Sequence, residues 1–219
     1  MGEKLFEFLG YYAKDIDILI TEGTMLNRED NCVHERELST KMSLVMQEYK
    51  YVFVLASSTD IERLATIKNA ASTAKKKMYI NSGFMYATMK IFTKRESRKS
   101  HGLFSFYPEF YSKDSDLDKL RNDGFVLISG PSKLGDVKKM IEKLPSSETI
   151  LIYSSWDGYY KIPEQIEANP KYKEFRDAFP NVVDIHTSGH ADKTTIKKVI
   201  ETINPKKVIC IHKEADATL

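Results

Sequence analysis

Short apolar runs of strand length alternate with helical patterns along most of this chain, and this alternation limits the folds that it can adopt. The runs at residues 51–56, 125–129 and 149–153 are continuous and rich in β-branched residues, which is typical of strands buried on both faces of a parallel sheet. Between such runs lie segments with a helical apolar period, such as residues 134–144 and 163–179. The order predicts an α/β fold with a mainly parallel sheet and helices on both faces.

The composition excludes several classes of protein. With 219 residues, 42% of them hydrophobic and 29% charged, the chain has the makeup of one or two folded domains and not of a disordered segment. Its 33 Lys and Arg stand against 31 Asp and Glu, which excludes a diffuse polycation but allows a local basic patch. Two cysteines, Cys32 and Cys210, cannot build a disulfide framework and favour a reducing compartment. No apolar run approaches the roughly 18 residues of a membrane helix, and no signal peptide is recognisable, so we expect a cytoplasmic protein.

Polar turns after the predicted strands are the candidate functional positions. Ligands of a parallel sheet collect outside the carboxyl ends of its strands, where helix N-termini offer amides. The loops at residues 22–35, 129–132 and 186–192 occupy such positions. His190 lies in a Ser-Gly-His-Ala turn, and His212 follows the last apolar run. An ordinary structural role, at a strand end or facing solvent, is open for both histidines.

The segment HTSGHADKTTIKKVIETINPKKVICIHKE, residues 186–214, resembles the closing segment of β-CASP nucleases of the metallo-β-lactamase fold. That family shows a Ser-Gly-His-Ala turn, a helix, a strand and a His followed closely by Glu, and the spacing from His190 to His212 agrees with it. Residues 17–24, DILITEGT, resemble the strand and turn that introduce the β-CASP insertion. The helix that opens with Glu35 resembles the family's acidic first motif.

The resemblance implies a domain organisation. Residues 1–34 would be a returning piece of the metallo-β-lactamase αββα fold, and residues 35–180 would be a β-CASP-like α/β domain. Residues 181–219 would close the metallo-β-lactamase fold with the SGHA and IHKE turns.

The implied function is zinc-dependent hydrolysis of phosphodiester bonds in RNA. By this resemblance His212 is a zinc ligand, and His190 contacts the scissile phosphate as general acid, a role that suits an imidazole because its pKa lies near 6.5. Glu35 would orient a catalytic histidine through a hydrogen bond. Glu37 competes for that role, since either acid also favours the first turn of a helix. The predicted phosphate-binding groups are Ser188 and the amides of Gly189 and Ala191. Alternatively, Ser188 only satisfies its own turn.

The sequence departs from the family at the metal centre. Family members carry a His-x-His-x-Asp-His cluster that supplies most ligands of a two-zinc site, and no His-x-His occurs in this chain. Zinc takes three or four protein ligands, so one matched histidine cannot hold it tightly. We therefore expect the carboxy-terminal half of such an enzyme, inactive alone, with weak or absent zinc. Its partner would be the missing amino-terminal half of the domain, and exposed apolar surface would also allow oligomers.

Basic and aromatic residues interleave between residues 75 and 107 and predict a track for single-stranded RNA. The candidate contacts are Lys94, Arg95, Arg98 and Trp156. A solvated helix face and a packing role for Trp156 explain the same residues. Two other functions are open: a non-catalytic module that binds RNA or a partner, and an unrelated enzyme that acts on a phosphate metabolite.

Overall fold

A computed structural model describes residues 2–27, 33–95, 102–112 and 117–218. The chain divides into two compact units, one formed by Met1–Val33 with Ser188–Leu219 and the other by His34–Thr187. We call them the terminal unit and the central unit. Their assignment to a metallo-β-lactamase fold and a β-CASP domain stays a prediction. Among the described helices, none combines the length and apolar character needed to cross a bilayer.

The predicted alternation of helices and strands is confirmed. In chain order the elements are α1 Gly2–Tyr12, β1 Ile18–Glu22, α2 Glu35–Glu48, β2 Tyr51–Leu55, α3 Ile61–Thr73, β3 Met78–Ile80, α4 Gly83–Arg95, β4 Glu109–Phe110, α5 Leu117–Asp123, β5 Phe125–Ser129, α6 Leu134–Ile141, β6 Thr149–Tyr153, α7 Gly158–Lys161, α8 Pro163–Ala168, α9 Pro170–Asp177, β7 Val182–Asp184, α10 Lys193–Ile203 and β8 Lys207–Ile211. The single helix predicted near residues 163–179 is two, α8 and α9. Pro170 lacks an N–H and begins a new helix instead of continuing the old one.

The central unit is built on a parallel sheet in the order β4-β3-β5-β2-β6-β7. Its three middle strands, β5, β2 and β6, are buried along their whole length, as their continuous apolar runs predict. Tyr51 pairs with Phe125 on one side and Thr149 on the other, so these strands end level with one another. The residues that follow β2 and β6 therefore reach the same edge of the sheet.

The terminal unit has a smaller sheet in which β1 and β8 pair in parallel. Helix α10 is capped by Asp192, whose carboxylate accepts a hydrogen bond from the Thr195 amide at 2.6 Å, and it ends at Asn204 in the left-handed conformation. One face of the two strands carries a row of exposed isoleucines, namely Ile18, Ile20, Ile209 and Ile211. Within the described residues nothing in this unit covers that face.

Candidate functional site

Glu22 ends β1, and its carboxylate binds the turn that carries His190. Oε1 accepts a hydrogen bond from the Ala191 amide at 2.8 Å. Oε2 accepts one from the Thr24 amide at 3.1 Å and lies 3.2 Å from Nδ1 of His190. The hydroxyl of Ser188 accepts a hydrogen bond from the His190 amide at 3.1 Å. These contacts fix the Ser-Gly-His-Ala turn against the end of β1.

The protonation state of Glu22 determines whether its carboxyl group can donate to the His190 ring or only accept a hydrogen bond from it. Burial opposes ionisation of Glu22, but hydrogen bonds from Thr24 and from the Ala191 amide outweigh burial and lower the pKa of the carboxyl below its usual value of 4.5. At neutral pH the group is a carboxylate, which can only accept. Nδ1 is the ring nitrogen of His190 that faces this carboxylate, so a hydrogen bond between the two groups would run from Nδ1–H to Glu22.

His212 lies beside His190, with 5.8 Å between the ring centroids. The parallel register opposes Glu22 and Ile211, so the residues after the two strands are neighbours. The Thr24 hydroxyl lies 3.1 Å from Nδ1 of His212 and 3.2 Å from its carbonyl oxygen. His212 has a φ of 53°, a left-handed conformation that few residues other than glycine adopt.

A glycine lets the two turns approach this closely. A Cβ on Gly23 would lie 2.9 Å from a side-chain atom of Leu26 and equally close to Cβ of Lys213. The Gly23 amide donates to the carbonyl of Ile211 at 2.9 Å. Any larger residue at this position would push the turn after β1 away from the turn after β8.

The structure thus brings five predicted site residues together in the terminal unit: His212 and the four residues of one turn, Ser188, Gly189, His190 and Ala191. Nothing contacts the Cβ position of Gly189, which is exposed. The Ala191 amide donates to Glu22. The predicted phosphate contacts of Ser188, Gly189 and Ala191 stay a prediction.

Glu35 belongs to the central unit, where it pairs with Arg63. The carboxylate accepts hydrogen bonds from Nε of Arg63 at 3.1 Å, from Nη2 at 2.8 Å and from the Thr66 hydroxyl at 2.5 Å. Burial opposes ionisation of Glu35, but these bonds outweigh it and lower its pKa. Glu37 is exposed. The role of Glu35 at a catalytic histidine stays a prediction. Within the terminal unit, the carboxylate that faces His190 is that of Glu22, a residue that the sequence predicts only to organise its turn.

Arg63 extends this network across the edge of the sheet. Nη1 donates to the Ser154 hydroxyl at 2.7 Å and to Nδ1 of His186 at 3.1 Å, and Nη2 donates to the Thr187 carbonyl at 3.3 Å. Burial, and then the charge of Arg63, lower the pKa of His186 to about 4. A guanidinium only donates, so the proton of neutral His186 resides on Nε2.

The donor set for zinc is incomplete in the described part of the chain. Among residues 2–27, 33–95, 102–112 and 117–218, no group of three or more His, Cys, Asp and Glu side chains is arranged to hold a metal ion. His212 is suited to be one ligand, because a second group already holds its Nδ1. The residues present therefore agree with a contribution to a zinc site and not with a complete one.

Two of the predicted RNA contacts, Lys94 and Arg95, are exposed at the end of α4. Arg98 lies outside the described residues. Trp156 is half-buried and its ring packs on Gly158, where a Cβ would come within 2.4 Å of it. It also meets Tyr159 edge to face, with 5.4 Å between centroids. This geometry agrees with the packing interpretation of Trp156, and its stacking on RNA stays a prediction.

Comparison with known proteins supports the predicted family. Residues 180–219 match the sequence model of a family described as the Zn-dependent metallo-hydrolase RNA specificity domain. The match contains His190 and His212 and is consistent with the C-terminal region of a metallo-β-lactamase/β-CASP protein, so the predicted resemblance is confirmed there. No curated protein matches the sequence of the chain.

A structural similarity of low TM-score also exists. The helicase domain of Pyrococcus furiosus Hef aligns with 83% of this chain at 10% identity and a TM-score of 0.28. The chain spans 38% of the length of that domain.

Proposed function

We propose that the chain is the RNA-specificity part of a zinc-dependent metallo-hydrolase of the β-CASP type, which cleaves phosphodiester bonds in RNA. The observation that carries the proposal is the cluster of Glu22, His190 and His212, two of whose members lie inside the matched segment. Because the cluster depends on β1, the site requires both ends of the terminal unit. The two cysteines, of which Cys210 is a free thiol, support a cytoplasmic location.

In this proposal His190 is the general acid for the leaving oxygen, and Glu22 is its positioning residue. A carboxylate that accepts from Nδ1 fixes the ring, so that Nε2 is the nitrogen placed to pass a proton to the leaving oxygen. His212 is a zinc ligand through Nε2. Bound zinc would supply Lewis acidity toward the phosphate. The remaining ligands come from polypeptide outside the described residues.

The isoleucine face of β1 and β8 supports a partner for the terminal unit. Ile20 is 61% exposed and Ile211 is 54% exposed, and their register places them on the same face of the sheet. Parallel sheets are almost always covered on both faces. We propose that the amino-terminal half of a metallo-β-lactamase domain covers this face. A second copy of the chain is the alternative occupant.

The end of α4 is the proposed RNA contact in the central unit. Lys94 and Arg95 are exposed there, and Phe92 in the same last turn is 40% exposed. Cations neutralise phosphates and exposed rings stack on unpaired bases. A non-catalytic RNA-binding module is the second candidate function, favoured by the incomplete ligand set of the described residues.

Cleavage is tested on the longest natural product of the gene. We expect that product to bind zinc and to cleave RNA, and His190→Ala to lower the rate by about 10²–10⁴-fold, the usual contribution of a general acid. His34→Ala, at an exposed histidine of the central unit, is the matched control. If the product binds no zinc, and His190→Ala changes neither cleavage nor RNA binding, the catalytic proposal fails.

RNA binding is tested on this chain with a labelled single-stranded RNA at several salt concentrations. Charge reversal at Lys94 and Arg95 should weaken binding and reduce the slope of log affinity against log salt by about 1.4, since two single-strand phosphate contacts are lost. Charge reversal at Lys138 and Lys139, which are exposed on α6, is the control. Equal effects of the two double variants would refute the contact at α4.

A further inference from the structure

The Thr24 hydroxyl makes two contacts with the same residue, and together they determine a tautomer. Its Oγ1 lies 3.2 Å from the carbonyl oxygen of His212 and 3.1 Å from Nδ1 of the same ring. A hydroxyl has one proton to donate and can accept in addition. A carbonyl oxygen only accepts, so both contacts are hydrogen bonds at once only if Oγ1 donates to the carbonyl and accepts from Nδ1–H.

The neighbouring carboxylate leads to the same assignment. Glu22 also interacts with the Thr24 side chain, and an ionised carboxylate, like a carbonyl, only accepts. The single proton of the Thr24 hydroxyl goes either to the Glu22 carboxylate or to the His212 carbonyl oxygen. In both cases Oγ1 can only accept from the His212 ring, so Nδ1 must carry a proton. We propose that Thr24 is a positioning residue that fixes His212 as the Nδ1–H tautomer, with the lone pair on Nε2.

Thr24 is itself held in place. Its amide donates to Glu22, and its branched side chain has a restricted χ1. His212 is held in a left-handed conformation with φ 53°, which costs about 1–2 kcal/mol for a residue with a Cβ. Thr24 forms one hydrogen bond with the backbone of this strained residue and one with its ring. Together these bonds fix the orientation of the ring and the nitrogen that carries its proton.

The chemical consequence rests on the proposed function. A histidine binds a divalent transition metal through a ring nitrogen with a lone pair, and its other ring N–H is usually donated to a neighbouring group. Thr24 supplies that neighbouring group for His212. His186 in the central unit is the opposite case, because Arg63 donates to its Nδ1 and the proton must lie on Nε2.

The test is a long-range proton–nitrogen NMR correlation of the ¹⁵N-labelled full chain without metal, at about pH 8, where an ordinary histidine is neutral. We expect His212 to show a protonated Nδ1 and an unprotonated Nε2, and His186 to show the reverse. Thr24→Ser should keep the pattern of His212, whereas Thr24→Val should increase the Nε2–H form. His186 should be unchanged in both variants, which makes it a control within each sample.

A protonated Nε2 on His212 of the unsubstituted chain would overturn the inference, as would a Thr24→Val spectrum identical to it. If Thr24→Val does not fold, the unsubstituted chain and Thr24→Ser still decide the question. Zinc affinity is then measured on the longest natural product, where Thr24→Val should weaken it by about 10–100-fold and Thr24→Ser should not. A changed tautomer with unchanged zinc affinity would sustain the role of Thr24 and remove His212 from the proposed zinc site.

Discussion

Replacement of Arg63 by methionine tests the network that joins three elements of the central unit. The Arg63 side chain is 2% exposed, and its guanidinium donates to Glu35, Ser154, His186 and Thr187. Methionine keeps most of the length of the side chain and removes every one of these donors. The carboxylate of Glu35 then stays in a half-buried site without its cation.

The expected loss follows from the burial of the two partners. Breaking a buried ion pair by removing one partner costs about 3–5 kcal/mol. The Glu35 side chain is 31% exposed, so water reaches its carboxylate and we expect the lower end, about 3 kcal/mol. With a denaturant slope of about 2 kcal/mol/M in urea, the midpoint of unfolding should fall by about 1.5 M.

Trp156 provides the assay, because it is the single tryptophan of the chain and belongs to the same unit as Arg63. Its fluorescence reports unfolding of the central unit even if the terminal unit unfolds separately. Arg63→Lys should recover little, since an ammonium cannot replace the planar fork of a guanidinium. The double variant Arg63→Met with Glu35→Met should be more stable than Arg63→Met alone, because no uncompensated charge is left buried.

Two results would refute this reasoning. One is a midpoint for Arg63→Met within about 0.3 M of the unsubstituted chain, a shift comparable to that of an ordinary surface substitution. The other is a double variant whose destabilisation equals the sum of the two single ones, since residues that share a hydrogen-bonded network do not behave additively.

The stability of the central unit should also depend on acid. The folded pKa of His186 is about 4, below its usual 6.5, so the unfolded chain binds more protons between these values and stability should fall as the pH is lowered through this window, by up to about 1.4 kcal/mol per pH unit. The pKa of Glu35 is lowered in the folded chain, so protonation of this carboxylate removes further stability as the pH falls below its usual value of 4.5. Trp156 unfolding midpoints at a series of pH values should show a shallower dependence for His186→Asn, and parallel curves would contradict the assignment. Gly124 has a φ of 73°, and a Cβ there would lie 2.6 Å from the Lys50 carbonyl, so Gly124→Ala should cost at least about 1–2 kcal/mol. Gly135→Ala, in helix α6 with nothing within 4 Å of the new Cβ, should instead stabilise by about 0.5–1 kcal/mol, and equal urea midpoints for the two variants would refute the argument.

The strands of the central sheet could be predicted from the sequence because their environment leaves a strong pattern. The runs at residues 125–129 and 149–153 coincide with β5 and β6, since a strand buried on both faces needs an apolar residue at nearly every position. The ends of the helices were harder to predict from the sequence. The break at Pro170 interrupts a helical pattern that continues on both sides of it, so the apolar period alone indicates one helix.

The partners of the acidic residues could not be read from the sequence for a different reason. Glu22 and Ala191 are separated by 169 positions, and the register between β1 and β8 brings the turns that follow these strands together. Local spacing contains no information about that register. For the same reason the sequence does not distinguish Arg63 from the other residues of α3. In the structure it forms an ion pair with Glu35, one of the two acids in the first turn of α2.

The two carboxylates differ in the kind of partner they hold, and this difference favours Glu22 for the proposed role beside His190. Arg63 remains charged at every pH a protein experiences, so its pair with Glu35 stabilises the fold and cannot take part in a proton transfer. An imidazole, by contrast, is a side chain that can give up and take back a proton during catalysis. Glu22 lies 3.2 Å from Nδ1 of His190, where it can orient the ring and leave Nε2 for a proton transfer. Backbone amides and Thr24 lower the pKa of Glu22, so at neutral pH the group is a carboxylate and can only accept a hydrogen bond from the ring.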